Sequence, residues 1–236
     1  MKILRYILFF LGFILCLKAN AQVGEHRSDL ALGISGGYAL NQMTFSPSIK
    51  QNWKGGMLLG ATARYTCERY FTAICAVQAE LNYANLGWKE LIESGTDTYK
   101  RDMHYLQMPL LARMAWGRER RGAQFFFLVG PQFGYCFSET EHYSSPWAGS
   151  PRPNNVTMQY GKSVENRFEY GITGGLGIEI STTIGHFQLE GRYYYGLSDI
   201  WSNSKKDPFG RSANGAILIK LSYLIDLIRT PNPSIR

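Results

Sequence analysis

Apolar and polar residues alternate along most of this chain with a period of two, the period of side chains on a β-strand. Eight segments carry the pattern: Leu30–Leu40, Gly56–Thr66, Phe71–Ala84, Met103–Trp116, Ala123–Ser138, Asn166–Ile180, His186–Leu197 and Asn214–Ile225. Each has one strongly apolar face and one small or polar face. In the first, Leu30, Leu32, Ile34, Tyr38 and Leu40 share a face, opposite Ala31, Gly33, Ser35, Gly37 and Ala39. In the sixth, Phe168, Tyr170, Ile172, Leu176, Ile178 and Ile180 alternate with Glu169, Gly171, Thr173, Gly175, Gly177 and Glu179.

A soluble sandwich also alternates, but three features favour a closed barrel with an outward apolar face. Most segments run 11 residues or more, against about 5–6 for an ordinary strand and about 9–11 for a tilted strand crossing a bilayer. The gaps alternate in length: Asn41–Gly55, Asn85–Asp102, Glu139–Glu165 and Ser198–Ala213 are long, whereas Cys67–Tyr70, Gly117–Gly122 and Ser181–Gly185 are short. Long external loops and short periplasmic turns characterise outer-membrane barrels. The outward aromatics also sort by height. Tyr38, Tyr83, Tyr135, Tyr170 and Tyr195 fall near the long-loop rim; Tyr65, Phe71, Trp116, Phe125, Phe187 and Tyr223 fall near the short-turn rim. Two such girdles are expected at the membrane–water interfaces. The predicted fold is all-β: an eight-stranded antiparallel up-and-down transmembrane barrel. Pro109 conflicts with it, because a closed barrel has no free edge for a residue without an N–H. A bulge or a strained pairing is expected there, which would put the facing of Arg113 in question.

The inward faces carry Arg64, Glu80, Arg113, Glu169, Glu179, Glu190, Arg192 and Lys220, four cations and four anions. Side chains roughly fill an eight-stranded barrel, so these charges are expected to pair across a closed lumen. At least one of Glu179 and Glu190 should meet an arginine, since an unpaired buried charge costs several kcal/mol. Inward glycines leave room for the larger side chains opposite. An ion path through the lumen is the functional alternative.

Residues 1–21 read as a cleaved signal peptide. Lys2 and Arg5 form a basic start, Ile7–Leu17 is an apolar run, and Ala19-Asn20-Ala21 is a small-x-small site, so cleavage is expected after Ala21. Leu15 argues against acylation at Cys16. Beyond the signal, residues 22–29 are expected to be a periplasmic N-terminal segment, 30–225 the barrel and 226–236 a periplasmic tail. Loss of Lys2, Arg5 and Lys18 would lower the formal charge from +7 to +4, too weak and scattered to imply nucleic acid. Cys67, Cys75 and Cys136 are an odd set, expected to be unbridged.

Candidate chemistry is sparse. His104 and His142 lie toward the long loops near Ser138, Glu141 and Ser144, a loose hydrolase-like set, and His186 is expected to be solvated at a short turn. No metal-ligand spacing occurs, no cofactor is implied, and Gly171–Gly177 lacks the following helix of a phosphate loop. The loop Glu139–Glu165, with Pro146, Trp147, Pro151, Arg152 and Pro153, is either a mobile loop facing lipopolysaccharide or a docking site.

Tyr105-Leu-Gln-Met-Pro-Leu-Leu-Ala-Arg resembles the signature of the PorT-like outer-membrane barrels of Bacteroidota. Val129-Gly-Pro-Gln-Phe-Gly-Tyr, Gly174-Gly-Leu-Gly-Ile-Glu and Leu189-Glu-Gly-Arg-Tyr-Tyr-Tyr-Gly-Leu follow in the same order. The resemblance implies an eight-stranded barrel in the outer membrane, makes Pro109 a family feature, and implies for some members a part in protein secretion. It carries over no catalytic residues. One departure is the last strand, where Leu-Ile-Asp-Leu-Ile and Arg229–Arg236 follow Tyr223. The expectation is a non-enzymatic outer-membrane barrel in contact with outer-membrane lipids and lipopolysaccharide, with a possible partner in the secretion or envelope machinery. A lipid-acting enzyme with a rim site and a soluble exported ligand-binding barrel are the alternatives.

Overall fold

The alternating segments form the staves of a closed antiparallel barrel. The computed structural model describes residues 25–92, 97–119, 121–145, 147, 156–202, 204 and 207–230. The expected signal peptide with its cleavage site and most of the expected tail lie outside the described residues. In chain order the strands are β1 (Glu25–Ser46), β2 (Gln51–Asn52), β3 (Lys54–Tyr70), β4 (Ala73–Glu90), β5 (Tyr99–Gly117), β6 (Gly122–Tyr143), β7 (Phe168–Ser181), β8 (His186–Gly196) and β9 (Arg211–Ile228). Each long strand pairs with the next, β4 with β5 included, and β1 pairs with β9 from Leu30↔Ile228 to Ser46↔Arg211. The ring therefore closes through eight staves, and the two-residue β2 only extends β4 at the long-loop end.

Facing follows the alternation. Leu32, Ile34, Tyr38 and Leu40 of β1 are exposed, whereas Ala31, Ser35, Ala39 and Asn41 are buried. The same split runs through β8, where Phe187, Leu189, Tyr193 and Tyr195 point out and Gln188, Glu190, Arg192 and Tyr194 point in. The result is a continuous apolar outer belt around a polar interior, the inverse of a soluble domain. Ile34 is 71% exposed and Leu221 59%; water does not tolerate a patch of this extent. Cys67, Cys75 and Cys136 are free thiols.

Several boundaries differ from the sequence reading. β1 begins at Glu25 and β9 runs to Ile228, so the flanks expected to be periplasmic segments are partly strand. The first short turn is Phe71-Thr72, with Phe71 at φ 52°, so Phe71 caps a hairpin and is not a strand residue of the lower girdle. The long gaps shrink because β1, β4, β5 and β6 continue into them. No bulge occurs at Pro109. The ladder to β4 passes from Ala79↔Leu110 to Asn82↔Gln107 and the ladder to β6 from Pro109↔Gln132 to Ala112↔Val129, without a shift in register. The ring lets the pairs beside Pro109 and Pro131 lapse without slipping. The irregularity in β5 lies instead at His104/Tyr105, and Arg113 faces inward.

The outward face predicts a depth-dependent penalty. Replacing Ile219, 58% exposed at mid-strand, by Arg should cost about 2–4 kcal/mol, the penalty for a cation at the bilayer midplane, in urea titrations of barrel refolded into vesicles. A change below about 0.5 kcal/mol would place this face outside the hydrocarbon.

Candidate functional site: a filled lumen and an aromatic cap

Two ion clusters cross the interior. Toward the short-turn end, Glu179 of β7 receives Arg64 of β3, which forms an ion pair with it, and Arg113 of β5 at 2.7 Å. Gln188 donates to the same carboxylate at 2.6 Å. These groups come from different sides of the ring and meet because inward glycines let large side chains pass the axis. A Cβ on Gly177 would lie 2.6 Å from the Phe126 ring. That ring in turn supports the Arg113 guanidinium, 4.3 Å above its centroid.

The second cluster lies nearer mid-barrel. Arg192 of β8 donates to both oxygens of Glu80 at 2.5 and 2.9 Å and to Glu190 at 2.7 Å. Lys220 lies 2.7 Å from Glu80 and 3.6 Å from Glu190. Gln78 and Asn82 donate to Glu80 at 2.6 and 2.9 Å. Two cations thus face two anions, all buried. Burying charges in such a layer is offset only by close pairing and hydrogen bonding.

His186 is not solvated as expected. It is 5% exposed, with Nδ1 2.8 Å from Glu179 and Nε2 2.8 Å from Asp226. Ser181 Oγ lies 3.0 Å from Nδ1, which brings a serine, a histidine and an aspartate into line. A triad base, however, needs an imidazole nitrogen free to take the serine proton, and here that nitrogen also faces Glu179. The group is a clamp that ties β7, β8 and β9 together. Beside it lies a polar cavity of about 30 Å³, lined in part by Arg64, Arg113, Glu119 and Gln124; this is room for about one ordered water.

Glu169 departs from the expected pairing. It is buried and accepts from Asn214 at 2.6 Å, and no cation pairs with it among the described residues. Its level marks the change from ionic to aromatic packing. Above it, Phe45, Trp88, Tyr99, Trp201 and Phe209 are buried in one apolar cluster. Trp201 lies 4.5 Å from Phe209, 5.5 Å from Phe45 and 6.0 Å from Trp88 between centroids. Its indole N–H donates to Ser163 O at 3.1 Å, fastening the segment after β6 to the β8–β9 loop. Arg101 stacks over Trp88 at 5.0 Å and pairs with Glu141 and Glu139. This cap is absent from the sequence reading. Phe45, Trp88 and Tyr99 sit on strand extensions that continue the inward alternation through stretches taken as loop.

The hydrolase-like set does not assemble. His104 Nδ1 lies 2.7 Å from the Tyr83 hydroxyl, His142 faces Asp102 at 3.0 Å, and Ser144 Oγ accepts from Thr98 N. His104 stands opposite Ser138 in the β5–β6 ladder, but neither histidine is hydrogen-bonded to a serine among the described residues. Among them, too, no group of three or more His, Cys, Asp or Glu is placed to hold a metal. Trp147 packs against Tyr143 and Tyr160, while Pro146, Pro151, Arg152 and Pro153 lie outside the described residues. The girdle tyrosines Tyr38, Tyr65, Tyr83, Tyr135, Tyr170 and Tyr195 are exposed on the outer wall; Trp116 and Tyr223 are half-buried there.

The lower cluster predicts strong coupling. Glu179→Gln leaves two buried cations short of their anion and should cost about 3–5 kcal/mol. Adding Arg113→Gln should recover part of that loss in a double-mutant cycle. A coupling energy below about 0.5 kcal/mol would contradict the network.

Among solved structures, the chain is similar to the outer membrane protein OprG of Pseudomonas aeruginosa. That match has 16% identity, 85% of this chain and 97% of that one covered, and a TM-score of 0.46. It is also similar to Neisserial surface protein A, at 10% identity, 82% and 97% coverage and a TM-score of 0.41. A third is the attachment invasion locus protein Ail of Yersinia pestis in complex with the heparin analogue sucrose octasulfate, at 15%, 84%, 99% and 0.38. No curated protein sequence matches the chain. The family model described as the outer membrane protein beta-barrel domain matches residues 20–202. The chain belongs to the outer membrane protein beta-barrel domain family.

Proposed function

We propose that this outer-membrane barrel, of PorT-like type, is non-enzymatic and acts as a structural and interaction protein, with a partner in the secretion or envelope machinery. The observation that carries the reading is the filling of the lumen: two ion clusters and an aromatic cap occupy successive levels of the interior. A barrel so filled offers its ends and its wall, not its channel. The loop end suits a partner, because the described parts of its connections are held in place. Tyr160 donates to Glu90 at 2.6 Å, Asn166 donates to Asp199 O at 3.0 Å, and Ile200 N donates to Ser212 O at 2.9 Å. A pre-ordered surface binds without the cost of ordering loops.

The test is photo-crosslinking in cells from a probe at Met158, which is 64% exposed on the cap. A discrete protein adduct is expected. Adducts to lipid alone would contradict the reading, as would turnover of a labelled envelope lipid by purified barrel that His142→Ala abolishes.

A further inference from the structure

We propose that the outer wall of β4–β6, just above the loop-side girdle, binds the phosphate-bearing headgroup of an outer-leaflet lipid. This site is independent of whatever the cap engages. Alternation continues above the girdle, so the side chains of Lys89, Lys100 and His142 share the outer face. Lys89 is directly opposite Lys100, and Lys100 directly opposite His142. Three basic residues thus stand side by side on three strands, with neighbouring Cβ atoms about 5 Å apart, where like charges repel.

One carboxylate serves this face among the described residues. Asp102 is approached by Lys100 at 2.8 Å, His142 at 3.0 Å and Lys54 at 2.9 Å. Lys54 is buried and reaches it where β3 has parted from β4, whose ladder ends at Leu58↔Ala84. The other described acids of these strand ends are turned away from this face: Glu139 and Glu141 hold Arg101, Glu90 holds Gln159 and Tyr160, and Asp97 is buried. Lys89 is exposed and makes no ion pair among the described residues. Three lysines against one aspartate leave the patch with two uncompensated positive charges before His142 is counted.

Position selects the occupant. His104 lies on the same face, stacked on Tyr83 at 5.8 Å between centroids and hydrogen-bonded to its hydroxyl, within the girdle. Lys100 is four residues farther along β5, about 13 Å along a strand and about 9 Å in height at the usual tilt. That is the headgroup layer directly above the hydrocarbon. A cationic row on a lipid-facing wall at this height meets anionic headgroups before anything else. A lipid carrying phosphate monoesters matches it best, because each phosphate brings the charge and the acceptors that two adjacent lysines lack.

The test uses full-length barrel in phosphatidylcholine nanodiscs, with trace amounts of lipid A bearing both phosphates or of its dephosphorylated form, and native mass spectrometry to count retained lipid. The wild type should retain the phosphorylated form preferentially. The double variant Lys89→Gln, Lys100→Gln should lose about thirtyfold of that preference, the loss expected for two basic side chains near an anionic surface. Arg69→Gln, at the opposite end, should leave the preference unchanged, and unaltered heat-modifiable gel migration shows that each variant is folded. Equal retention of the two lipids by the wild type would overturn the proposal, as would an unchanged preference in the folded double variant. Displacement of the lipid by millimolar inorganic phosphate would overturn the lipid as the source of the phosphate.

Discussion

In the hydrocarbon layer there is no water to satisfy an open strand edge, so β1 must pair with β9. That closure sets the remaining constraints. Eight staves enclose a space that side chains fill, and a filled space containing four acids and four bases must satisfy them internally. The clusters around Glu179 and Glu80 are the result. Their members come from strands far apart in sequence: Arg64 on β3 meets Glu179 on β7, and Arg192 on β8 meets Glu80 on β4. Each pair therefore braces the ring across its diameter as well as around it.

The interior changes character along its axis because the two ends differ in what they can recruit. At the short-turn end the strands turn back within a few residues, and the bottom is closed by stave side chains, His186 and Asp226 among them, and by Glu119 of the β5–β6 turn, which pairs with Arg27. At the loop end the strands overrun the bilayer, and the described parts of the long connections fold over the mouth. There apolar side chains are hidden from both lipid and water, and Trp201 and Phe209 from the β8–β9 loop complete a cluster begun by Phe45 and Trp88. Glu169, bonded to Asn214 and carrying no cation among the described residues, lies where the two packing regimes meet.

Stave facing was legible in the sequence because period-two alternation depends on burial alone and survives Pro109. The set of inward charges was legible for the same reason. Their partners were not, because which acid meets which base depends on the stagger of strands around the ring. His186 illustrates this: its place next to a short turn suggested exposure, whereas the register sets it between Glu179 and Asp226. The cap was missed for a different reason. Met43 and Phe45, or Leu86 and Trp88, continue the inward parity of their strands, but they lie in stretches whose glycines and polar residues read as loop. The family model agrees with the fold that the alternation implied.

The central claim is that ion pairs and the aromatic cap leave no continuous water path through the barrel. Planar-bilayer recording of the purified wild-type protein measures this directly. No steady channel is expected at applied potentials of either sign, because the paired guanidinium and carboxylate groups of Arg64, Arg113, Arg192, Glu80 and Glu179 span the interior. Large, stable, open-pore currents from the wild type would contradict it.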